Sequence, residues 1–196
     1  MDKIICGVDE AGRGSAVGEI YCCAVVLKDT VIIKGLTDSK LLTAKKREAL
    51  ASEIKDKAES WNIATASLDD IIKFNVLGAT LRAMTRAVEG LSVKPQLVLV
   101  DGNQSPTLSV PVKTIIKGDL TVKAISAASI IAKVARDQSM IELHDIYPEY
   151  GFNKHKGYLT KSHFEALSKY GPCPAHRITF APIKKLNETP GLFEFI

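Results

Sequence analysis

Ile4-Ile5-Cys6-Gly7-Val8-Asp9-Glu10-Ala11-Gly12-Arg13-Gly14 opens the chain with a short apolar run, two adjacent acids and a tight glycine turn carrying an arginine. The apolar run reads as a buried strand over residues 3–9 that ends in carboxylates. Acids at a strand end can hold a hard cation through oxygen. Glycines let backbone N–H groups approach a phosphate closely, and arginine grips phosphate with a two-pronged fork. The stretch therefore points to metal-assisted chemistry on a phosphodiester.

Working outward, residues 18–28 read as a second strand and residues 30–34 as a third, and the short connections predict an antiparallel meander. Thr43 suits the N-cap of a helix over 43–60, with Leu50, Ile54 and Ala58 recurring on one face. Residues 61–66 alternate as a strand. Ser67 or Asp69 caps a helix over 68–89, interrupted near Asn75 and ended by Gly90. Leu97-Val98-Leu99-Val100 is a strand that terminates at Asp101-Gly102, and residues 112–116 form one that leads into Lys117-Gly118-Asp119. A helix follows over 121–144, then an ordered aromatic and basic loop over 147–160, a short helix over 162–169, and a proline-bearing tail that wraps the surface. Strands alternating with helices predict an α/β fold, a mixed central sheet flanked by helices.

The chain has 196 residues, 46% hydrophobic and 24% charged, as expected of one globular domain over residues 1–196, with an extension from about residue 145. A net charge of +4 permits a polyanionic partner without requiring one. Cys6, Cys22, Cys23 and Cys173 lack the paired spacing of a zinc site, and the first three lie in apolar runs, so buried reduced thiols are expected. No apolar run is long enough to span a bilayer. Met1-Asp2-Lys3 leads directly into a strand, leaving no room for a signal peptide, so a cytoplasmic protein is expected.

Asp9, Glu10, Asp101 and Asp119 fall at the ends of three apolar runs, where a sheet gathers them at one edge. Two-ion phosphodiester cleavage needs several carboxylates about a metal–metal gap of roughly 3.5–4 Å. Each acid also has an ordinary reading: Asp101-Gly102 is a common turn pair, and Asp119 suits a helix N-cap. Gly12-Arg13-Gly14 has neither the P-loop nor the Rossmann spacing.

Gly7-Val8-Asp9-Glu10-Ala11-Gly12-Arg13-Gly14 resembles the N-terminal signature of type 2 ribonuclease H, the bacterial ribonuclease HII family. The resemblance continues through Asp38-Ser39-Lys40, Asp101-Gly102-Asn103, Lys117-Gly118-Asp119 and Ser126-Ala127-Ala128-Ser129 to Lys133-Val134 with Arg136-Asp137. It ends in His155-Lys156-Gly157-Tyr158, Gly171-Pro172-Cys173 and His176-Arg177 with Phe180-Ala181-Pro182. It implies an RNase H fold with a small C-terminal helical appendage, and an endonuclease that cuts RNA in RNA–DNA duplexes. It further implies two divalent ions, Mg²⁺ or Mn²⁺, on Asp9, Glu10, Asp101 and Asp119. By the same resemblance Gly12, Arg13 and Gly14 contact the ribonucleotide, and Tyr158 stacks on the following deoxyribose. The expected cut lies 5′ of a ribonucleotide, including one embedded in duplex DNA, and leaves 5′-phosphate and 3′-hydroxyl ends. Roles in ribonucleotide excision and primer removal follow from that activity.

Lys40 is the best candidate phosphate contact among Lys40, Lys45, Lys46 and Arg47, and Lys154, His155 and Lys156 are further ones. His176 and Arg177 suit either loop packing or substrate contact. Lys133 and Arg136, with Asp137, predict salt bridges inside the fold. Ser15 stands where the family usually has proline, Glu19 lies in a usually apolar strand, and Leu159 follows Tyr158 where proline or glycine is frequent. The Ser15 departure predicts a turn less firmly fixed after Arg13. Gly191 to Ile196 is a candidate docking motif for a sliding clamp, with packing on the domain as the alternative. A monomer is expected. The rivals are another RNase H-like DNA nuclease or resolvase, and a non-catalytic nucleic-acid-binding module.

Overall fold

In the computed structural model, residues 3–28, 30–37 and 39–188 are described. Asp38 and Gly191 to Ile196, the candidate docking motif, lie outside them. The chain runs β1 (Ile5–Ala11), β2 (Ile20–Val26), α1 (Ala44–Lys57), β3 (Ser60–Ala66), α2 (Leu68–Glu89), β4 (Leu97–Asp101) and β5 (Val112–Ile115). It continues through α3 (Gly118–Thr121), α4 (Lys123–Ile146), α5 (Phe152–His155), α6 (Lys161–Tyr170) and α7 (Ala181–Glu188). The five strands form one mixed sheet in the order β3-β2-β1-β4-β5. β1 pairs antiparallel with β2 and β2 with β3, while β1–β4 and β4–β5 are parallel.

Helices cover both faces of the sheet, which is why β1 and β2 read as unbroken apolar runs. Cys22, Ala24 and Val26 pack toward Ala79, Ala83 and Ala87 of α2. Cys23 and Val25 face the other way, toward Leu50 and Ile54 of α1 and Ala127, Ile130 and Ile131 of α4. Gly7 makes the closest approach possible. A Cβ there would lie 2.2 Å from the backbone carbon of Ala124, so the start of α4 rests on β1 and Gly7 admits it.

The expected elements form with three corrections. Residues 30–34 are not a strand: the edge of β2 that such a strand would need is taken along its whole length by β3, from Ile20–Ala66 to Val26–Ser60. The antiparallel unit β1-β2-β3 therefore has α1 inserted before its last strand. The 147–160 segment contains two short helical turns, Pro148–Tyr150 and α5. The tail does not merely wrap the surface. It forms α7, whose Ile183 is fully buried in a third core with Val17, Met140, Tyr150 and Phe152.

Local capping agrees with the sequence. Ser67 and Asp70 close a capping box at the start of α2. Asn75 breaks that helix at φ 57° and ψ 174°. Its side-chain oxygen accepts from Gly78 N at 3.0 Å and recaps the second segment. All four cysteines are buried free thiols. Among the described residues no helix is long and apolar enough to cross a membrane.

Candidate active site

The parallel register of β1 and β4 ends with Val8 opposite Val100, and the next residue on each strand is an acid, Asp9 and Asp101. β5 pairs Ile115 with Asp101 and then turns through Lys117 in a left-handed conformation (φ 56°) into α3, which carries Asp119. Sites at the carboxyl ends of parallel strands are a general outcome of such sheets. Asp101 is fixed from behind: its Oδ1 accepts the backbone N–H of Gly118 at 2.7 Å and that of Asp119 at 3.4 Å. The hydroxyl of Ser126 in α4 donates to the Asp119 carbonyl. Asp9 Oδ1 accepts from Glu10 N at 2.7 Å, and the Ser129 hydroxyl on α4 also bonds to the Asp9 side chain.

Asp9, Glu10, Asp101 and Asp119 line one cleft of about 480 Å³. Gly12, Arg13, Gly14, Lys40 and Tyr158 line the same cleft, so the four acids and the five principal substrate contacts expected from sequence come together. Ser39, Ser129 and Lys133 line it too and were not singled out as site residues. Ser129 was findable: it lies one helical turn after Ser126, so both hydroxyls point from α4 toward the acids. Ser129 Oγ also lies within hydrogen-bond distance of Ser39 Oγ, at 3.1 Å, which ties α4 to the turn carrying Lys40. Lys133 makes the expected ion pair with Asp137, at 2.6 Å.

Burial pushes the Asp9 carboxyl well above the usual carboxylate range, and the negative charges of Glu10 and Asp101 push it further. Burial raises Glu10 as well, opposed by Arg13, whose Nη1 lies 3.1 Å from Glu10 Oε1. Poorly solvated carboxylates that repel one another bind a cation to mutual advantage. The donors are hard oxygens, the set that Mg²⁺ and Mn²⁺ take. Among the described residues no three acid, histidine or cysteine side chains close around a single point. The four acids share one cleft without enclosing a single point, which suits ions that keep coordination positions for water and substrate oxygen.

The glycine turn is held by two buried arginines from distant parts of the chain. Arg177, only 2% exposed, donates to the carbonyls of Gly12 at 2.8 Å, Arg13 at 3.0 Å, Ser15 at 2.6 Å and Gly18 at 2.8 Å. Arg136 donates to Glu19 O at 3.1 Å, Val17 O at 2.8 Å and Ser15 Oγ at 3.0 Å. Gly12 needs its missing side chain, because at φ 92° a Cβ would sit 2.7 Å from Arg136 Nε. These bonds overturn the expected looseness at Ser15. That residue is fully buried, its N–H donates to Gly12 O at 3.3 Å, and its hydroxyl bonds with Val17 as well as Arg136. They also correct the expectation for Arg136, which bonds to carbonyls and a hydroxyl rather than to a carboxylate. They decide Arg177 in favour of loop packing.

Arg47 likewise turns inward. It donates to Ser39 O at 2.6 Å and Leu42 O at 2.9 Å and pairs with Asp137 at 3.4 Å, fixing the turn that presents Lys40. Lys45, Lys46, Lys154 and Lys156 do not line the cleft. Tyr158 is 41% exposed and lies beside the glycine turn, 3.9 Å from where a Cβ on Gly14 would be.

The family model for ribonuclease HII matches residues 6–183. The ribonuclease HII of Desulforamulus reducens is 56% identical over 96% of this chain and 98% of its own length. Among solved structures, ribonuclease H2 from Pyrococcus horikoshii superposes with a TM-score of 0.79 at 28% identity, over 94% of this chain and 97% of that one. Bst-RNase HIII in complex with Mn²⁺ shares the fold, with a TM-score of 0.70 at 19% identity over 95% of this chain and 70% of that one. The chain belongs to the ribonuclease HII family, endoribonucleases that act on RNA–DNA substrates.

Proposed function

We propose that this chain hydrolyses the phosphodiester on the 5′ side of a ribonucleotide at an RNA–DNA junction, including a lone ribonucleotide in duplex DNA. The observation that carries the reading is one cleft lined by four acids and by a hydrogen-bonded glycine turn with an exposed tyrosine. Asp9, Glu10, Asp101 and Asp119 are the residues that would hold two divalent ions, Mg²⁺ or Mn²⁺. Ions held there supply an activated water and charge stabilisation for the leaving oxygen.

The remaining groups select and orient. Gly12, Arg13 and Gly14 bring backbone polar groups to the ribose, where the 2′-hydroxyl can both donate and accept. Arg136 and Arg177 fix those groups before substrate arrives, so little ordering is left for the binding step. The Tyr158 ring covers the next sugar and leaves no room for a 2′-hydroxyl there. Lys40 meets a phosphate as a point charge. The products carry 5′-phosphate and 3′-hydroxyl ends, which suits ribonucleotide excision and primer removal.

Asp9→Asn and Asp101→Asn test the assignment. The amide introduced by Asp101→Asn keeps an oxygen for the Gly118 N–H, so the turn stays built while a charge is lost. Each variant is expected to lose cleavage and retain duplex binding. Unchanged turnover in either would remove the acids from the reaction.

A further inference from the structure

Three of the chain's four histidines, His155, His163 and His176, gather behind Tyr158. His163 Nε2 and His176 Nε2 are 3.1 Å apart, and both residues are buried. Two imidazole nitrogens at that distance share one proton between them. The outer contacts decide where it resides. His163 Nδ1 lies 3.0 Å from the carbonyl of Tyr158, which can only accept. That nitrogen therefore carries a proton, and in the neutral ring His163 Nε2 is the lone pair. His176 Nε2 then donates, and His176 Nδ1 accepts from the Cys173 backbone N–H at 2.9 Å. The Cys173 thiol points at the same nitrogen from 3.1 Å, while the Cys173 carbonyl at 3.2 Å is a close contact without a proton.

His155 obeys the same rule. Its Nε2 donates to Tyr150 O at 2.8 Å, and its Nδ1 accepts from Gly157 N at 3.2 Å. One neutral tautomer set thus satisfies all six ring nitrogens. The donated bonds run from the Cys173 turn through His176 and His163 to the backbone of Tyr158.

We propose that His163 and His176 are positioning residues for Tyr158, holding its ring at the cleft only while both imidazoles are neutral, so that preference for a ribonucleotide junction over a uniform RNA–DNA hybrid weakens in acid. The inference rests on the role given above to Tyr158. A proton added at His163 Nε2 sets two N–H groups against each other across 3.1 Å. One added at His176 Nδ1 opposes the Cys173 N–H.

The surroundings offer neither cation a partner. From α5, the Phe152 ring stands 5.6 Å from His163 and 5.7 Å from His176, and the His155 ring stacks on His163 at 4.4 Å. From the turn before α5, Tyr150 meets His176 edge-on at 5.1 Å, and Glu149 acts on Tyr150 and Cys173 rather than on either ring. His144 of α4 acts on His155. Arg177, next to His176, sends its guanidinium to the glycine turn. Among the described residues no carboxylate pairs with any of the three rings. Burial accordingly lowers both His163 and His176 to about 4.

The test uses the full chain with Mn²⁺ and two substrates, a DNA duplex holding one ribonucleotide and a uniform RNA–DNA hybrid. The readout is the ratio of their kcat/KM values, in which any general acid loss of turnover cancels. From about pH 7.5 to about pH 4 the ratio is expected to fall several-fold, with most of the fall below about pH 5, as buried neutral histidines take up protons. His163→Gln keeps a donor for Tyr158 O and an acceptor for His176 without a titrating charge at that position, so its ratio is expected to vary less with pH. Nitrogen NMR of the wild type at neutral pH is expected to find the proton on Nδ1 of His163 and on Nε2 of His176. A flat wild-type ratio, or the opposite tautomers, overturns the relay, and both are measured without any variant. Tyr158→Ala separates the two readings. If it keeps the wild-type ratio at neutral pH, the role of Tyr158 fails and the inference falls with it. If it lowers the ratio while the wild-type profile is flat, the relay alone fails.

Discussion

Replacing Arg177 by lysine tests how the glycine turn is held. The guanidinium spans four carbonyls at 2.6 to 3.0 Å, from Gly12, Arg13, Ser15 and Gly18. An ammonium has three protons on one atom and cannot reach four acceptors spread around a planar fork. At least one buried carbonyl is left without its donor. A charged hydrogen bond contributes about 1.5–3 kcal/mol, and a buried polar group left unpaired costs about 1–3 kcal/mol. Partial rescue by the ammonium offsets some of this, so Arg177→Lys is expected to destabilise by about 2 kcal/mol. Urea unfolding is the assay, read as a lower midpoint at unchanged slope. The same variant is expected to raise KM for a single-ribonucleotide duplex, because the turn must then be ordered on binding. A loss below about 0.5 kcal/mol with unchanged KM refutes the claim that Arg177 pre-forms the turn.

Gly7→Ala drives a methyl into the backbone of Ala124 and is expected to cost more than about 3 kcal/mol, measured as lost soluble yield and a lowered Tm. Ser15→Ala removes the acceptor of one Arg136 bond and a bond to Val17, so a loss of about 1–2 kcal/mol is expected in urea unfolding. Acid stability follows from His163 and His176, whose folded values of about 4 lie below the ordinary 6.5. Between those values the unfolded chain binds more protons, so stability is fully present above about pH 6.5 and is lost as pH falls toward 4. The loss is on the order of 3 kcal/mol per ring, measured by unfolding midpoints across that window. A stability flat between about pH 6.5 and 4 would contradict the buried neutral pair.

What the sequence made legible is what local chemistry encodes. The apolar run before Asp9, the capping box at Ser67 and the break at Asn75 each carry their signal within a few residues. The acids were legible because an apolar run leads into them on both strands, and the parallel pairing of β1 with β4 stops at Val8 and Val100, one residue before Asp9 and Asp101. The fate of residues 30–34 was hidden, because it depends on β3 claiming the edge of β2 from across a helix. The burial of α7 depends in the same way on a third core shared by segments more than a hundred residues apart in sequence, such as Val17 and Ile183. Ser15 misled for a related reason. Read locally, a serine in place of proline loosens a turn, but here two arginines from α4 and the C-terminal segment make its hydroxyl and carbonyl the fixed points. The tautomer order of the three histidines is likewise invisible until the carbonyls of Tyr158 and Tyr150 are placed beside them.

The most direct test of the account is to map the cut in a DNA duplex carrying one ribonucleotide, with Mg²⁺ or Mn²⁺ supplied and then chelated. Cleavage at the phosphodiester 5′ of the ribonucleotide, dependent on the ion, is predicted. Cleavage of an all-DNA duplex or four-way junction at comparable rate, or tight binding with no cut under either ion, would contradict it.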